Sequence, residues 1–109
     1  MKTKLYIYYT TTSSQKEAKK ISTYLFKKKA CVCVNVFPKV KSYYIEDNML
    51  QRSEEVAMFI KSLSNKSKFL KTINEIHNYK IPLITLIYSE CLNKKYLQWA
   101  EHQTFYSNG

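Results

Sequence analysis

The sequence predicts an α+β domain, with an antiparallel sheet, helices on one of its faces and one more helix at the C-terminal end. Three observations predict it. Apolar residues alternate at period two around Val34 and around Met58, as in strands. On either side of these stretches lie two segments with apolar residues at helical spacing, around Ile21 and around Ile73. The whole chain has 109 residues, enough for one domain and too few for two. The expectation is a single domain over 1–109, with its core at about 4–102 and a tail at 103–109.

Leu5, Ile7 and Tyr9 alternate with Tyr6, Tyr8 and Thr10, which reads as a first strand. Ser14 and Glu17 have the spacing of a capping box, and Ala18, Ile21, Leu25 and Phe26 follow on one helical face to about Lys29. Val32, Val34 and Val36 open a second strand, with Cys31, Cys33 and Asn35 on its opposite side. Pro38 donates no ladder hydrogen bond, so it marks a bend or a sheet edge. Extended structure resumes from Val40 to Ile45. Asp47-Asn48 tolerates positive φ and suits a hairpin turn. Val56, Met58 and Ile60 then alternate with Ala57, Phe59 and Lys61 in a long returning strand. Phe69, Ile73, Ile76 and His77 share the face of a second helix, which Pro82 must stop. Leu83 to Tyr88 reads as a buried strand. Tyr96, Trp99 and Ala100 lie on one side of a final helix capped by Asn93. The resulting order is the split βαβ, or ferredoxin-like, βαββαβ sandwich with an extra helix. Helices on one face would bury the Val, Ile and Leu positions. The other face would carry Tyr and Phe, open to cover by a second subunit.

The chain has 18 Lys+Arg against 8 Asp+Glu, and Arg52 is the single arginine. Lysine acts on phosphates as a point charge, whereas base reading favours the arginine fork. The surplus therefore reads as a solvated surface or as attraction for polyanions. The three cysteines form no disulfide framework. Met1-Lys2-Thr3-Lys4 leads into a short Tyr-rich strand without a signal peptide's apolar run. No stretch approaches the length of a membrane span. The expectation is a cytoplasmic protein with reduced thiols and no membrane contact.

Longer motifs carry a resemblance. Cys33-Val34-Asn35-Val36-Phe37-Pro38, followed by Val40, Ser42 and Tyr44, resembles the signature of the CutA divalent-cation-tolerance family. Glu55 and Ile60-Lys61 fit its next positions. His77-Asn78-Tyr79-Lys80-Ile81-Pro82 and Tyr96-Leu97-Gln98-Trp99 resemble its later segments. The resemblance runs from about Leu5 to Glu101. Lys39 stands where that family usually has Gly, Ile45 and Glu46 replace its Trp residues, and Asn48 replaces its turn Gly. Asn78 and Leu83 depart from its Pro and Glu. Tyr9 and Ile76 fall where some bacterial members carry a metal-binding Cys and a second His. The resemblance implies a homotrimer with an architecture like that of PII signalling proteins. It also implies divalent-cation tolerance, a response to copper and other metal ions, and copper or another divalent cation as the bound species.

Of the copper residues the resemblance implies, His77 alone is present. A neutral imidazole suits copper or zinc, but a site needs three or four donors. The alternative is a helix-end histidine packed under the Tyr79 loop. Cys31 and Cys33 would share one strand face and suit a soft cation, which makes Cys33 the second metal candidate; both also suit a small buried apolar role. Cys91 reads as a loop thiol, more exposed and more reactive. Asn35, Tyr44, Glu55, Lys61 and Tyr79 would line a cleft between protomers and hold a small ligand. Glu55 and Lys61 would equally serve as inter-subunit ion-pair partners, and Tyr96 with Trp99 as packing. The only glycine is Gly109, so no glycine-rich phosphate loop exists, and the expectation is a protein that is not an enzyme.

Two further readings remain. One is a PII-like signalling trimer that binds a small ligand between protomers. The other is an RNA-binding module, suggested by the same element order, the basic charge and ten tyrosines. The third strand, Arg52-Ser53-Glu54-Glu55-Val56-Ala57-Met58-Phe59, lacks the glycines of the RNA-recognition signature. It also puts carboxylates where phosphates would pass, so nucleic acid is not the expected partner.

Overall fold

The computed structural model describes residues 3–103. The elements run β1 (Tyr6–Thr12), α1 (Gln15–Lys27), β2 (Cys33–Glu46), β3 (Met49–Ser62), α2 (Lys66–Asn74), β4 (Ile84–Ile87) and α3 (Lys94–His102). This is the expected order of strands and helices. The strands form one antiparallel sheet in the order β2-β3-β1-β4. Of the expected tail, Gln103 closes α3, and 104–109 lie outside the described residues. No helix among the described residues is long and apolar enough to cross a membrane.

Local chemistry sets the ends of the elements. Ser14 caps α1 by accepting the Glu17 N–H at 3.1 Å. At its exit the Ala30 N–H reaches the Leu25 carbonyl and the Lys29 N–H reaches that of Phe26, a Schellman closure with Lys29 at φ 57°. Asn65 and Asn93 cap α2 and α3 in the same way as Ser14. Asp47 and Asn48, at φ 52° and 65°, form the hairpin turn between β2 and β3. Pro38 lies on the edge strand β2, inside a register shift between Phe37 and Val40, where Lys39 adopts φ 61°. The bulge therefore needs a left-handed residue and lysine supplies it.

α1 and α2 cover one face of the sheet. Ala18, Ile21 and Leu25 of α1 and Phe69 and Ile73 of α2 bury against Val56, Met58 and Ile60 of β3 and Tyr8 of β1. Val34, Ile84 and Leu86 pack at the margin of that core. On β1 the prediction is corrected, because Tyr8, Thr10 and Thr12 face the helices while Ile7 and Tyr9 lie on the other side. Register decides this. Tyr8 pairs with Ile60 and Leu86, and all three point to the helices. The Tyr8 ring stacks on Phe69 with centroids 3.7 Å apart, and its hydroxyl donates to the Ser64 carbonyl at 2.8 Å. Burial of that hydroxyl pushes its pKa up to about 12, with Tyr6 adding to it.

α2 also differs from expectation. It ends at Asn74, so Ile76 and His77 lie beyond it, in the turn and loop that lead to β4. Pro82 is therefore not what stops the helix. α3 lies on the opposite, open face of the sheet, where the Lys61 ammonium sits 5.8 Å from the Tyr96 ring centroid.

β2 and β3 are each 14 residues long, against 7 for β1 and 4 for β4. Beyond the bulge they continue as a two-stranded arm with no other strand beside it. The long dimension is 48 Å, and the radius of gyration is 15.0 Å, where a chain of this length packed evenly would give about 13 Å.

Phe69→Ala should destabilise the fold by about 3–5 kcal/mol, since it removes a fully buried ring. Tyr8→Phe should cost about 1 kcal/mol by leaving the Ser64 carbonyl unpaired. Denaturant midpoints at fixed protein concentration test both, and equal effects would reject this ranking.

Candidate functional site

The densest polar cluster joins β1, the base of the arm and the loop after α2. Its centre is His77. The imidazole Nδ1 accepts the Tyr79 backbone N–H at 3.1 Å. Nε2 therefore carries the proton, which it donates to the Thr11 carbonyl at 2.9 Å, with Thr10 Oγ1 3.0 Å away. The Thr10 hydroxyl donates onward to the Leu83 carbonyl at 2.6 Å. Next in the chain, Asn78 accepts from the Thr12 hydroxyl and donates to Ser13 Oγ. Tyr79 completes the reach, its hydroxyl donating to Glu55 Oε2 at 2.6 Å.

The charges follow from these contacts. Burial lowers the His77 pKa, and the Thr11 carbonyl and Glu17 offset it only in part, so the ring is held neutral. Burial pushes Glu55 up, but hydrogen bonds from Ser42, Tyr79 and Thr11 outweigh it and leave the carboxyl below its ordinary value. Tyr79 is raised by burial first, then by Glu55, and by Tyr44 nearby, so it remains a neutral donor. Glu55 is thus an ionised carboxylate held by three hydroxyls.

The sequence candidates divide into two groups. Glu55 and Tyr79 come together at the base of the arm, and Tyr44, paired with Gln51 four residues further out, acts on Tyr79 through its charge alone. Lys61 lies six residues further along β3, about 20 Å away at strand spacing. It pairs with Cys33 across the sheet and approaches the Tyr96 ring. Asn35 lies between the groups, paired with Phe59. Within the chain, then, Glu55 and Lys61 form no common cleft. Sequence reasoning missed Thr10, Thr11 and Ser42. The available signal was the Thr10-Thr11-Thr12 run, which puts hydroxyls at strand positions that a core would fill with apolar groups.

Copper fits these residues poorly. Both His77 nitrogens are engaged within the chain, and no lone pair is left for a metal. No three His, Cys, Asp or Glu side chains group as a metal site among the described residues. Cys31 and Cys33 do not share a face, contrary to the period-two expectation. Cys31 precedes β2 and is buried in the helix-side core, where burial, with Cys33 adding, pushes its thiol up to about 12. The chain bends at Val32, whose N–H bonds the Lys61 carbonyl at 2.8 Å, and Cys33 emerges beside Tyr96. Cys91 is also near Tyr96, half-buried, with its thiol donating to the Asn93 carbonyl at 3.5 Å.

The fold and the cluster define a class: a small α+β protein whose polar groups tie a projecting hairpin to a helix-covered sheet. Residues 6–103 match the family described as CutA1 divalent ion tolerance protein, and the chain belongs to that family. It is 33% identical over 94 residues to the divalent-cation tolerance protein CutA of Archaeoglobus fulgidus, covering 85% of this chain and 91% of that one. The crystal structure of CutA1 from Ehrlichia chaffeensis superimposes with a TM-score of 0.88 at 28% identity, over 97% of this chain and all of that one. The Archaeoglobus fulgidus structure, described as periplasmic, gives 0.84 at 30% identity, over 93% and 99%. Human protein CutA is 29% identical over 97 residues, which is 88% of this chain and 54% of the human one.

Two outcomes follow from the His77 geometry. Its pKa is lower in the folded chain than the ordinary 6.5, so its contribution to stability is present above 6.5 and is lost as pH falls through the folded value. Glu55, also lowered, adds a second loss that begins below 4.5. Denaturant midpoints of the wild type should therefore fall from about pH 7 to about pH 5, and His77→Gln should flatten that interval. Parallel profiles would show that His77 does not couple to folding. In a copper titration, His77→Ala should leave affinity unchanged, while a tenfold loss would put copper on His77 after all.

Proposed function

We propose that this protein serves divalent-cation tolerance as a cytoplasmic homotrimer of ferredoxin-like protomers, and that it does so without catalysing a reaction. The observation that carries this reading is the arm. Ile45 and Leu50 are 68% and 70% exposed there, with Tyr43 and Met49 nearly as open. A two-stranded hairpin is marginal in water by itself, and apolar side chains along its tip favour cover by another surface. The open sheet face beside it carries Phe59 in ring contact with both Tyr9 and Phe37. An arm and a sheet face that both lack cover suit association between copies. The names of the relatives supply the tolerance function.

The Glu55–Tyr79 pair, with Tyr44 further out on the arm, favours a second reading, a small ligand bound between protomers in the manner of PII proteins. It places a carboxylate and hydroxyls at the base of the arm, beside the surface that association would cover. A ligand there would present hydrogen-bond donors to Glu55.

Light scattering at low and high salt should give three times the 13.0 kDa chain mass. Ile45→Asp combined with Leu50→Asp should reduce it to one chain. A wild-type protein of single-chain mass in both salts would remove the trimer and the ligand reading with it.

A further inference from the structure

The chain's positive charge is not spread evenly. α1 and its exit carry Lys16, Lys19, Lys20, Lys27, Lys28 and Lys29, and α2 carries Lys66, Lys68 and Lys71, all of them exposed. The only carboxylates in these segments are Glu17 and Glu75. Glu17 pairs with Lys20 at 3.8 Å, and Glu75 accepts the Tyr24 hydroxyl at 2.6 Å. Nine lysines against two engaged carboxylates place seven of the chain's ten net charges on the helix layer. Helix packing explains the apolar side of α1 and α2; it does not explain this outer side.

We propose that the outward face of the helix layer binds the phosphate backbone of double-stranded nucleic acid without reading its sequence. This surface is separate from the sheet face, where the RNA-recognition arrangement would sit. Lys16, Lys19, Lys20 and Lys27 line a groove of about 380 Å³, floored by Tyr24 and Ile76. Lys16 to Lys27 spans about 17 Å of helix, and a duplex strand offers about five phosphates in that length. Lysines suit this role because each meets a phosphate as a point charge. No arginine occurs in α1 or α2 to fork onto base edges, so sequence readout has no basis there.

Other polyanions fit less well. Single strands need aromatic platforms for stacking. Here the Tyr24 hydroxyl is bound to Glu75, and the Lys28 ammonium lies 5.4 Å from the centroid of its ring. An anionic bilayer would favour bulky apolar groups projecting past the lysines. Among large apolar side chains in α1 and α2, only Leu70 is exposed. The helix face is also opposite the sheet face assigned above to association, so a trimer would display it three times. The inference itself holds for a single chain.

The test is fluorescence anisotropy with a DNA duplex of about 20 base pairs across 50–200 mM salt. The wild type should bind at low salt. The variant Lys16→Gln, Lys19→Gln, Lys20→Gln, Lys27→Gln keeps helix propensity while removing four contacts. Its log–log salt slope should be shallower by about 3.6, and these four contacts should account for about a 10²-fold affinity change across the range. Lys94→Gln with Lys95→Gln, at the start of α3 on the other face, should leave the slope unchanged. No wild-type binding at low salt would overturn the proposal, as would equal slopes in both variants. Tighter binding to phosphatidylserine vesicles than to the duplex, lost in the four-lysine variant, would replace nucleic acid with a membrane surface.

Discussion

The hydrogen bonds of His77 hold three parts of the chain in one arrangement. The imidazole bridges the Thr11 carbonyl of β1 and the backbone after α2, and the next tyrosine reaches Glu55 at the base of the arm. Without that bridge the loop from Glu75 to Leu83 would have to satisfy its polar groups in water, and only strand pairing would hold β4 beside β1. Each donor meets an acceptor, so among the described residues no buried side-chain nitrogen or oxygen lacks a partner. A satisfied, half-buried network is stiff, and its neutral imidazole makes that stiffness sensitive to acid.

This arrangement also separates the duties of the two sheet faces. The helix face is an ordinary core of aliphatic side chains with one stacked tyrosine. Its outer surface is lysine-rich. The open face is mixed: aromatic along its middle, with one carboxylate among hydroxyls at one end and a thiol, a lysine and a tyrosine at the other. Charge repulsion disfavours bringing copies together through the helix layer. Apolar exposure on the arm favours bringing them together through the sheet. The two proposals therefore occupy different surfaces, and the failure of one leaves the other standing.

The fold was legible in large part because periodicity and caps are local signals. Ser14, Asn93, Asp47-Asn48 and Pro38 all acted as read. β1 was not legible, since Leu5, Ile7 and Tyr9 and the alternating Tyr6, Tyr8 and Thr10 are both plausible core sets. Tyrosine is amphipathic, and whether its ring goes inward depends on a hydroxyl partner that only the folded chain supplies. The C-x-C pair failed for a related reason. Period two holds only inside a strand, and the bend at Val32 lies between the two cysteines. Of the site candidates, Glu55 and Tyr79 are joined by a hydrogen bond, but the partners Thr10, Thr11 and Ser42 were not foreseen.

The sequence by itself determined the order of elements, their approximate ends, the family and the lysine excess. These depend on composition and on neighbours within a few residues. Only the tertiary structure decided which side of β1 is inside, that His77 spends both nitrogens on the chain, and that the lysines gather on one surface. Each of those facts depends on groups that are distant in sequence, such as Thr11 and His77, and register and packing alone bring them within hydrogen-bond reach.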